Sequence, residues 1–183
     1  MNQHRSNPPN RRIMIFIDGG YFRKCVSKLE KDVMKLSYYL LASSLTEATN
    51  TKDYFETSPQ LIKTYYYDGV PNIEQDLHWY SGEKLSKAKE KIQTKKEKQE
   101  KLLKFIEDKD FFKVRRGRSV LDGKGDFRQK GVDSLIALDM ISKAYLGHYD
   151  EAVLVTGDSD FIEIVEGVQQ AGVIVTGAYL YPD

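Results

Sequence analysis

Four aspartates stand where predicted strands end or predicted helices begin. They are Asp18 in IMIFIDGGYF, Asp133 in QKGVDSLIALDM, and Asp158 with Asp160 in AVLVTGDSDFIEIV. The apolar runs before Asp18 and Asp158 predict strands that are buried on both faces. Because the carboxyl ends of parallel strands gather at one edge of a sheet, these carboxylates should crowd together and repel one another unless a cation binds among them. The pattern predicts a divalent-metal site, and a metal site made only of acids indicates phosphate chemistry.

Each of these acids also has a purely structural explanation. Asp18 could simply cap the next helix, although the Gly19-Gly20 pair after it would allow a tight turn and the close approach of a phosphate or metal. Either Asp158 or Ser159 should cap the helix that follows them. Asp133 would be favoured by the dipole of its own helix. Two acids within three residues at one strand end exceed what a single cap needs, which favours the metal-site interpretation.

A fifth acid and a basic stretch lie close to Asp133 in the chain. Asp139 is about 120° round the same helix and can pair with Lys143, which predicts a structural or supporting role for it. Lysine and arginine beside a metal site suit a polyanionic phosphate backbone, although charge can also protect an exposed strand edge. In an extended strand, two of the arginines share one face and the third points to the other. The candidate RNA-binding residues are Arg115, Arg116, Arg118, Lys124 and Lys130.

Composition indicates one domain that carries its own core. The chain has 183 residues, of which 40% are hydrophobic, and a net charge of +1. A single cysteine, Cys25, excludes an internal disulfide and a multi-cysteine zinc site. No apolar run is long enough for a transmembrane helix. We expect residues 1–12 to be a disordered leader rather than a signal peptide, residues 13–183 to form the domain, and the protein to be cytoplasmic.

Alternating strand and helix patterns predict an α/β fold with a doubly wound parallel sheet and right-handed crossovers. Residues 82–108 are dominated by Lys and Glu and predict one long, solvated helix that links two strands, with an arm for RNA or a partner as the alternative. The chain ends just past a predicted strand, which leaves open a closing helix further on. The predicted strands are 13–18, 61–67, 111–121, 151–156 and 173–178; the other predicted helices are 20–30, 34–49, 132–146 and 159–171, with loops at 50–59 and 122–131 and a turn at 68–71.

Several of these segments together resemble the NYN domain family, which comprises PIN-like nuclease domains, in its LabA-like branch. The resemblance runs from residue 13 to about 180 and rests on FIDGGYF, YYYDG, KGVD and LVTGDSDFIEIVEGVQQAGV. It implies a PIN-like three-layer α/β/α sandwich with a mostly parallel central sheet. It also implies a divalent-metal ribonuclease site in which Asp18, Asp133, Asp158 and Asp160 occupy the acidic positions. Tyr21 stands where many members carry Asn, and the helix at 82–108 looks longer than the family core needs.

The sequence therefore predicts a ribonuclease that depends on Mg²⁺ or Mn²⁺ and hydrolyses RNA phosphodiester bonds. RNA in single-stranded form is the expected partner, no membrane is expected, and a homo-oligomer stays open. The first alternative is a PIN-like module that binds RNA or protein with weak or no turnover. A haloacid-dehalogenase-like phosphohydrolase would need an aspartate at Gly20, and a dinucleotide-binding protein would need a G-x-G-x-x-G after the first strand.

Overall fold

The computed structural model describes residues 10–49, 58–72, 77 and 79–179. Within that part of the chain the fold is mixed α/β, with one six-stranded sheet and five α-helices. Two short 3₁₀ turns lie at Val33–Lys35 and Ser159–Phe161. The strands are β1 Asn10–Asp18, β2 Ser58–Pro71, β3 Phe112–Leu121, β4 Phe127–Lys130, β5 Glu151–Val155 and β6 Ile174–Ala178; the helices are α1 Gly19–Lys28, α2 Tyr38–Ala48, α3 Gly82–Glu107, α4 Val132–Tyr145 and α5 Ile162–Gln170.

The first strand lies inside the sheet, where it pairs with strands from both halves of the chain. The strand order is β4-β3-β2-β1-β5-β6, and every pairing is parallel except that of β3 with β4. The mostly parallel sheet expected from the sequence is therefore confirmed. The carboxyl ends of β1, β2 and β5 face the same way, so residues that follow these strands meet at one edge.

Helices pack on both faces of this sheet. The side chains of Ile13, Ile15 and Ile17 belong to a core cluster with α1, α2 and α3. Met14 and Phe16 point the other way, into a second cluster with α4 and α5. Successive strand residues alternate between faces, so an unbroken apolar run is what a strand covered on both sides requires. No helix in the described ranges is both long and apolar enough to cross a membrane.

The first strand starts earlier than predicted, at Asn10 instead of residue 13. Residues 1–9 lie outside the described residues, but Asn10–Arg12 belong to β1. The two polar arginines fit in a strand because acidic partners lie opposite them. Arg11 forms a buried ion pair with Glu151 at 3.0 Å, and Arg12 pairs with Asp150 at 2.7 Å. These partners are far away in the sequence, which is why local pattern did not predict the longer strand.

Three segments that were predicted as loops or turns contain strand residues. The expected turn at 68–71 is wrong, because these residues continue β2 and pair with Arg116–Ser119 of β3. The expected loop at 122–131 contains β4, which runs antiparallel to β3 as the second arm of a hairpin. Of the loop expected at 50–59, residues 50–57 lie outside the described part, and the last two belong to β2. At 68–71 and at 122–131, strand pairing in the sheet overrides the turn propensity of the residues.

The helix predictions are largely confirmed. The segment expected at 82–108 is one helix, α3, and it buries Ala88, Ile92, Leu102, Leu103 and Ile106. The helix expected at 34–49 is shorter, because it starts at Tyr38 after a 3₁₀ turn. The helix expected at 159–171 begins in a 3₁₀ turn and ends before Gly172, whose φ of +80° suits the position just past a helix end.

Candidate active site

A cavity of about 980 Å³ opens at the carboxyl ends of β1, β2 and β5. Three of the four predicted acids, Asp18, Asp133 and Asp158, line it. Asp160 is not among the lining residues, although its charge is felt inside the cavity. The sheet thus brings together acids that are more than a hundred positions apart in the chain, as strand-end geometry predicts.

Asp18 caps helix α1. Its Oδ1 accepts hydrogen bonds from the backbone N–H groups of Gly20, at 2.9 Å, and Tyr21, at 3.2 Å. Burial raises the pKa of Asp18, against the effect of these two bonds and of the charges of Arg23 and Lys24. Because both bonds go to the same oxygen, capping occupies Oδ1 and leaves Oδ2 for a ligand.

The glycines after Asp18 are needed for space rather than for a turn. Neither Gly19 nor Gly20 has a positive φ. A Cβ added to Gly19 would lie 2.6 Å from the ring of Tyr66 and from the carbonyl oxygen of Tyr67, and one added to Gly20 would lie 2.7 Å from Oε1 of Gln129. The glycines let α1 start directly after β1 and close against β2 and β4.

Asp158 caps the 3₁₀ turn that precedes α5. Its Oδ1 accepts a hydrogen bond from the backbone N–H of Asp160 at 3.0 Å. Its own N–H donates to the hydroxyl of Thr156 at 3.2 Å. The choice between Asp158 and Ser159 as the cap is thereby decided for Asp158. Asp158 and Asp160 are both exposed. Asp158 lines the cavity, and Asp160 lies just outside the lining.

The pKa of Asp133 shows how burial and the neighbouring acids act at this site. Asp133 lies in the first turn of α4, behind Gly131, whose φ is +74°. Burial raises the pKa of Asp133 most, and the charges of Asp18, Asp158 and Asp160 raise it further. The charges of the other three acids therefore reach Asp133. Even so, no three His, Cys, Asp or Glu side chains in the described ranges are arranged as a group that could hold a metal ion.

Tyr21 connects the first strand loop with the end of β5. A Cβ built on Gly157 would lie 2.5 Å from the ring of Tyr21, so the aromatic side chain covers that glycine. Tyr21 thus fills the space between the loops that carry Asp18 and Asp158. A residue larger than glycine at position 157 would displace this ring.

Sequence reasoning missed a buried carboxylate in β2, which also contributes to this edge. Asp68 is fully buried in β2 and forms an ion pair with Arg23, which lines the cavity. Its Oδ1 accepts hydrogen bonds from the backbone N–H of Gly69, at 2.8 Å, and from Nε2 of Gln129, at 2.5 Å. The signal was present in YYYDG, but Asp-Gly was interpreted as a turn.

The five predicted RNA-binding residues lie outside the cavity lining. Arg115 forms an ion pair with the buried Asp139 at 2.8 Å. Arg116 pairs with Glu107 at 2.9 Å and with Glu100 at 3.4 Å, both on α3. The other three predicted residues are exposed on the β3–β4 hairpin: Arg118, Lys124 and Lys130.

Asp139 is held by protein partners. Besides Arg115, it accepts hydrogen bonds from Nζ of Lys143 at 2.6 Å and from the hydroxyl of Tyr67 at 3.0 Å. The pairing of Asp139 with Lys143 is confirmed, and the three partners agree with the structural role predicted for this acid.

Comparison with known proteins identifies the family. A model of the NYN domain family matches residues 12–183. The chain belongs to the NYN domain family. Domains of this family are PIN-like and of nuclease type, so membership supports a general nuclease role, and RNA is the class of molecule on which such domains act.

The other comparisons add little. The chain is similar to a crystal structure of a protein of unknown function from Vibrio parahaemolyticus, at 19% identity over 98% of this chain and 85% of that one, with a TM-score of 0.47. A likeness at this level carries no argument. No curated protein matches the sequence.

Proposed function

We propose that this NYN domain is a ribonuclease that depends on Mg²⁺ or Mn²⁺ and hydrolyses phosphodiester bonds of single-stranded RNA in a PIN-like three-layer fold. The observation that carries the proposal is the position of Asp18, Asp133 and Asp158 around one cavity at the strand ends. Burial raises the pKa of Asp133 there, and the charges of the other acids raise it further. Carboxylates that repel one another at a strand-end cavity are relieved by a divalent cation. An all-oxygen donor set suits Mg²⁺ and Mn²⁺ better than softer metals.

The chain's own residues would divide the work in this way. Asp18, Asp133, Asp158 and Asp160 would hold the metal, which when bound supplies an activated water and stabilises charge on the phosphate. The caps made by Asp18 and Asp158 fix these two carboxylates before any ligand arrives. No side chain is needed as a covalent nucleophile.

The decisive experiment measures cleavage of a labelled single-stranded RNA with Mg²⁺, with Mn²⁺ and with EDTA. Wild-type protein should cleave only with metal, and Asp158→Asn should abolish cleavage. Asparagine is a good N-cap, so this change removes charge while the turn at Asp158 is kept. Asp110→Asn, the same change at an exposed residue away from the cavity, is the matched control. Metal-independent cleavage, or full activity of Asp158→Asn, would refute the assignment.

A module that binds RNA without cleaving it is the second candidate. It is favoured by the absence of a ready-made metal-holding group among the described residues and by the capping roles of Asp18 and Asp158. In that case RNA would bind equally well with EDTA and with Mn²⁺, and no product would form. The same assay separates the two functions.

A further inference from the structure

Lysines on one face of α3 border a groove next to the acidic cavity. Lys87, Lys91, Lys95 and Lys98 follow one another at spacings of four, four and three residues, which places them along a single helix face. With Phe127 of β4 they line a groove of about 460 Å³, to which Glu90 and Thr94 also contribute. We call these four lysines and Phe127 the lysine groove.

The lysine groove leads into the cavity. Lys95 and Phe127 line both spaces, so the two adjoin each other. Across the cavity from Lys95, helix α1 contributes Arg23, Lys24 and Lys28 to the lining. A polyanion that follows the groove would therefore pass between cations of α3 and α1 before it reaches Asp18.

The cations nearest the junction are not neutralised by the protein. Lys24, Lys28, Lys95 and Lys98 make no ion pair with any residue that the structure describes. Lys95 is half-buried, and burial together with the charges of Arg23 and Lys98 lowers its pKa. Crowded positive charge of this kind costs stability until an anion binds.

Unlike these lysines, Arg115 and Arg116 of β3 form ion pairs within the protein. Arg115 and Arg116 are each bound to carboxylates of the protein, at 2.8 and 2.9 Å. At the outer end of the groove, Lys87 is paired with Glu83 at 2.6 Å, and Lys91 donates a hydrogen bond to the carbonyl oxygen of Gly125. Free positive charge is therefore concentrated around Lys95 and Lys98.

Phe127 adds an aromatic surface to this positive charge. Its ring is partly exposed and lies 5.8 Å from Nζ of Lys91 and 6.0 Å from Nζ of Lys95. Aromatic side chains that alternate with cations are how proteins hold single-stranded nucleic acid, because bases stack on the ring while phosphates meet the cations. Four residues of helix advance about 6 Å, which is comparable to the spacing of phosphates in an extended single strand.

We propose that the lysine groove is the RNA track of this domain: a single strand lies along α3 with its phosphates at Lys95 and Lys98, stacks a base on Phe127, and enters the acidic cavity there. This inference rests on the proposed function and deepens it by naming the path of the substrate. It assigns a role to the long helix α3 and shifts RNA binding away from Arg115 and Arg116.

The test measures RNA binding by fluorescence anisotropy in the full chain with Asp158→Asn and EDTA, so that cleavage does not interfere. A single-stranded RNA of mixed sequence is titrated across a series of salt concentrations. Lys95→Ala/Lys98→Ala should weaken binding roughly 10- to 30-fold at 0.1 M salt and reduce the salt slope by about 1.4, since each lost contact with a single strand accounts for about 0.7. Lys89→Ala/Lys104→Ala removes two exposed lysines of α3 outside the groove and should change neither quantity.

A second variant tests stacking. Phe127→Leu keeps an apolar side chain against α3 and removes the ring, so affinity should fall about fivefold or more with the salt slope unchanged. Equal affinity for single-stranded and duplex RNA, or displacement of the RNA by poly-glutamate of matched charge, would overturn the single-strand assignment.

Failure of this proposal is distinguishable from failure of the proposed function. If Lys95→Ala/Lys98→Ala binds RNA like its parent, the groove is not the track, whether or not the wild type cleaves RNA. If that variant loses binding but the wild type shows no metal-dependent cleavage, the nuclease assignment fails and the groove stands as a binding surface. If the Asp158→Asn parent does not bind RNA, the proposal that the lysine groove binds RNA is wrong.

Discussion

Asp18 and Asp158 show how one side chain can serve structure and chemistry together. Each uses Oδ1 to accept backbone hydrogen bonds at the start of a helical turn. A cap of this kind fixes the carboxylate in one orientation, which is also what a ligand for a hard cation requires. The structural and metal-binding interpretations of these aspartates are therefore compatible.

Removing one negative charge from the cavity should stabilise the metal-free protein. The raised pKa of Asp133 means that its ionised form is disfavoured in the folded state. We expect Asp133→Asn to raise the melting temperature in EDTA by about 1–3 °C. The gain should disappear when Mn²⁺ is added, because wild type then binds the cation better than the variant does.

The pH dependence of this effect has a definite sign. A carboxylate with a raised folded-state pKa destabilises the fold fully above that pKa, and the effect is lost as the pH falls to the unfolded pKa. The difference in melting temperature between wild type and Asp133→Asn should therefore shrink as the pH is lowered toward the acid range. Asp110→Asn, at an exposed site, should show no comparable difference. An equal gain with and without metal would contradict the prediction.

At the scale of elements, the start of α1 depends on two glycines with unequal surroundings. The nearest atoms to a Cβ at Gly19 include a backbone oxygen and a buried ring, whereas at Gly20 the nearest atom is the far end of the Gln129 side chain. Backbone and buried rings cannot move aside cheaply, but a long side chain can. The two positions thus form a natural pair for comparison.

Gly19→Ala should destabilise the protein by about 2–3 kcal/mol, in the upper range for overpacking. Gly20→Ala should cost about 1 kcal/mol, because Gln129 can move aside but then loses its hydrogen bond to Asp68. Urea denaturation followed by circular dichroism measures both. Similar losses in the two variants would mean that the close approach at Gly19 is not what limits the packing of α1 against β2.

The buried carboxylate of Asp68 in β2 should be among the costliest to remove. Asp68 is fully buried, and its ion pair with Arg23 and hydrogen bond from Gln129 join three elements. Asp68→Ala leaves the partly buried Arg23 without its partner, so we expect a loss of about 3 kcal/mol. Asp68→Asn keeps the acceptor for Gln129 and should lose less. Thermal unfolding of both variants checks the order, which a purely solvated Asp68 would not produce.

Some elements could be predicted from the sequence because their signals are local. The long helix α3 and the strands β1 and β5 follow from periodicity and apolar runs. Asp68 could not be placed, because its burial depends on Gln129, 61 positions away. The arginines of β3 were correctly seen as a basic stretch. What sequence did not show is that α3 brings Glu100 and Glu107 against Arg116.

At the scale of the whole molecule, an ion pair links the amino-terminal ends of the neighbouring strands β1 and β5. It joins Arg12 of β1 to Asp150, the residue before β5. The backbone N–H, Nε and Nη2 of Arg12 all donate to the carboxylate of Asp150, at 2.7–3.0 Å. The hydrogen bonds from Arg12 are the main reason that the pKa of Asp150 is lowered. A carboxyl with a lowered folded-state pKa stabilises the fold above its unfolded pKa.

We expect Asp150→Asn to lower stability at pH 7 by about 1 kcal/mol, a modest value because the pair is partly exposed. The difference from wild type should be lost as the pH falls through the lowered pKa of Asp150, since the wild-type carboxyl is then protonated as well. Melting curves of both proteins between pH 7 and pH 3 provide the measurement. A difference that persists at the acid end would show that the charge of Asp150 is not responsible.

The position of β1 inside the sheet has a consequence for how the chain is made. Arg12 and its partner Asp150 are 138 positions apart, so a ribosome needs on the order of ten seconds to supply the second after the first. During that interval β1, with its buried apolar run Ile13–Ile17, has one edge that lacks its partner strand β5. The nascent chain should therefore need protection by a chaperone until β5 has left the ribosome, and premature termination before residue 151 should yield a product prone to aggregation.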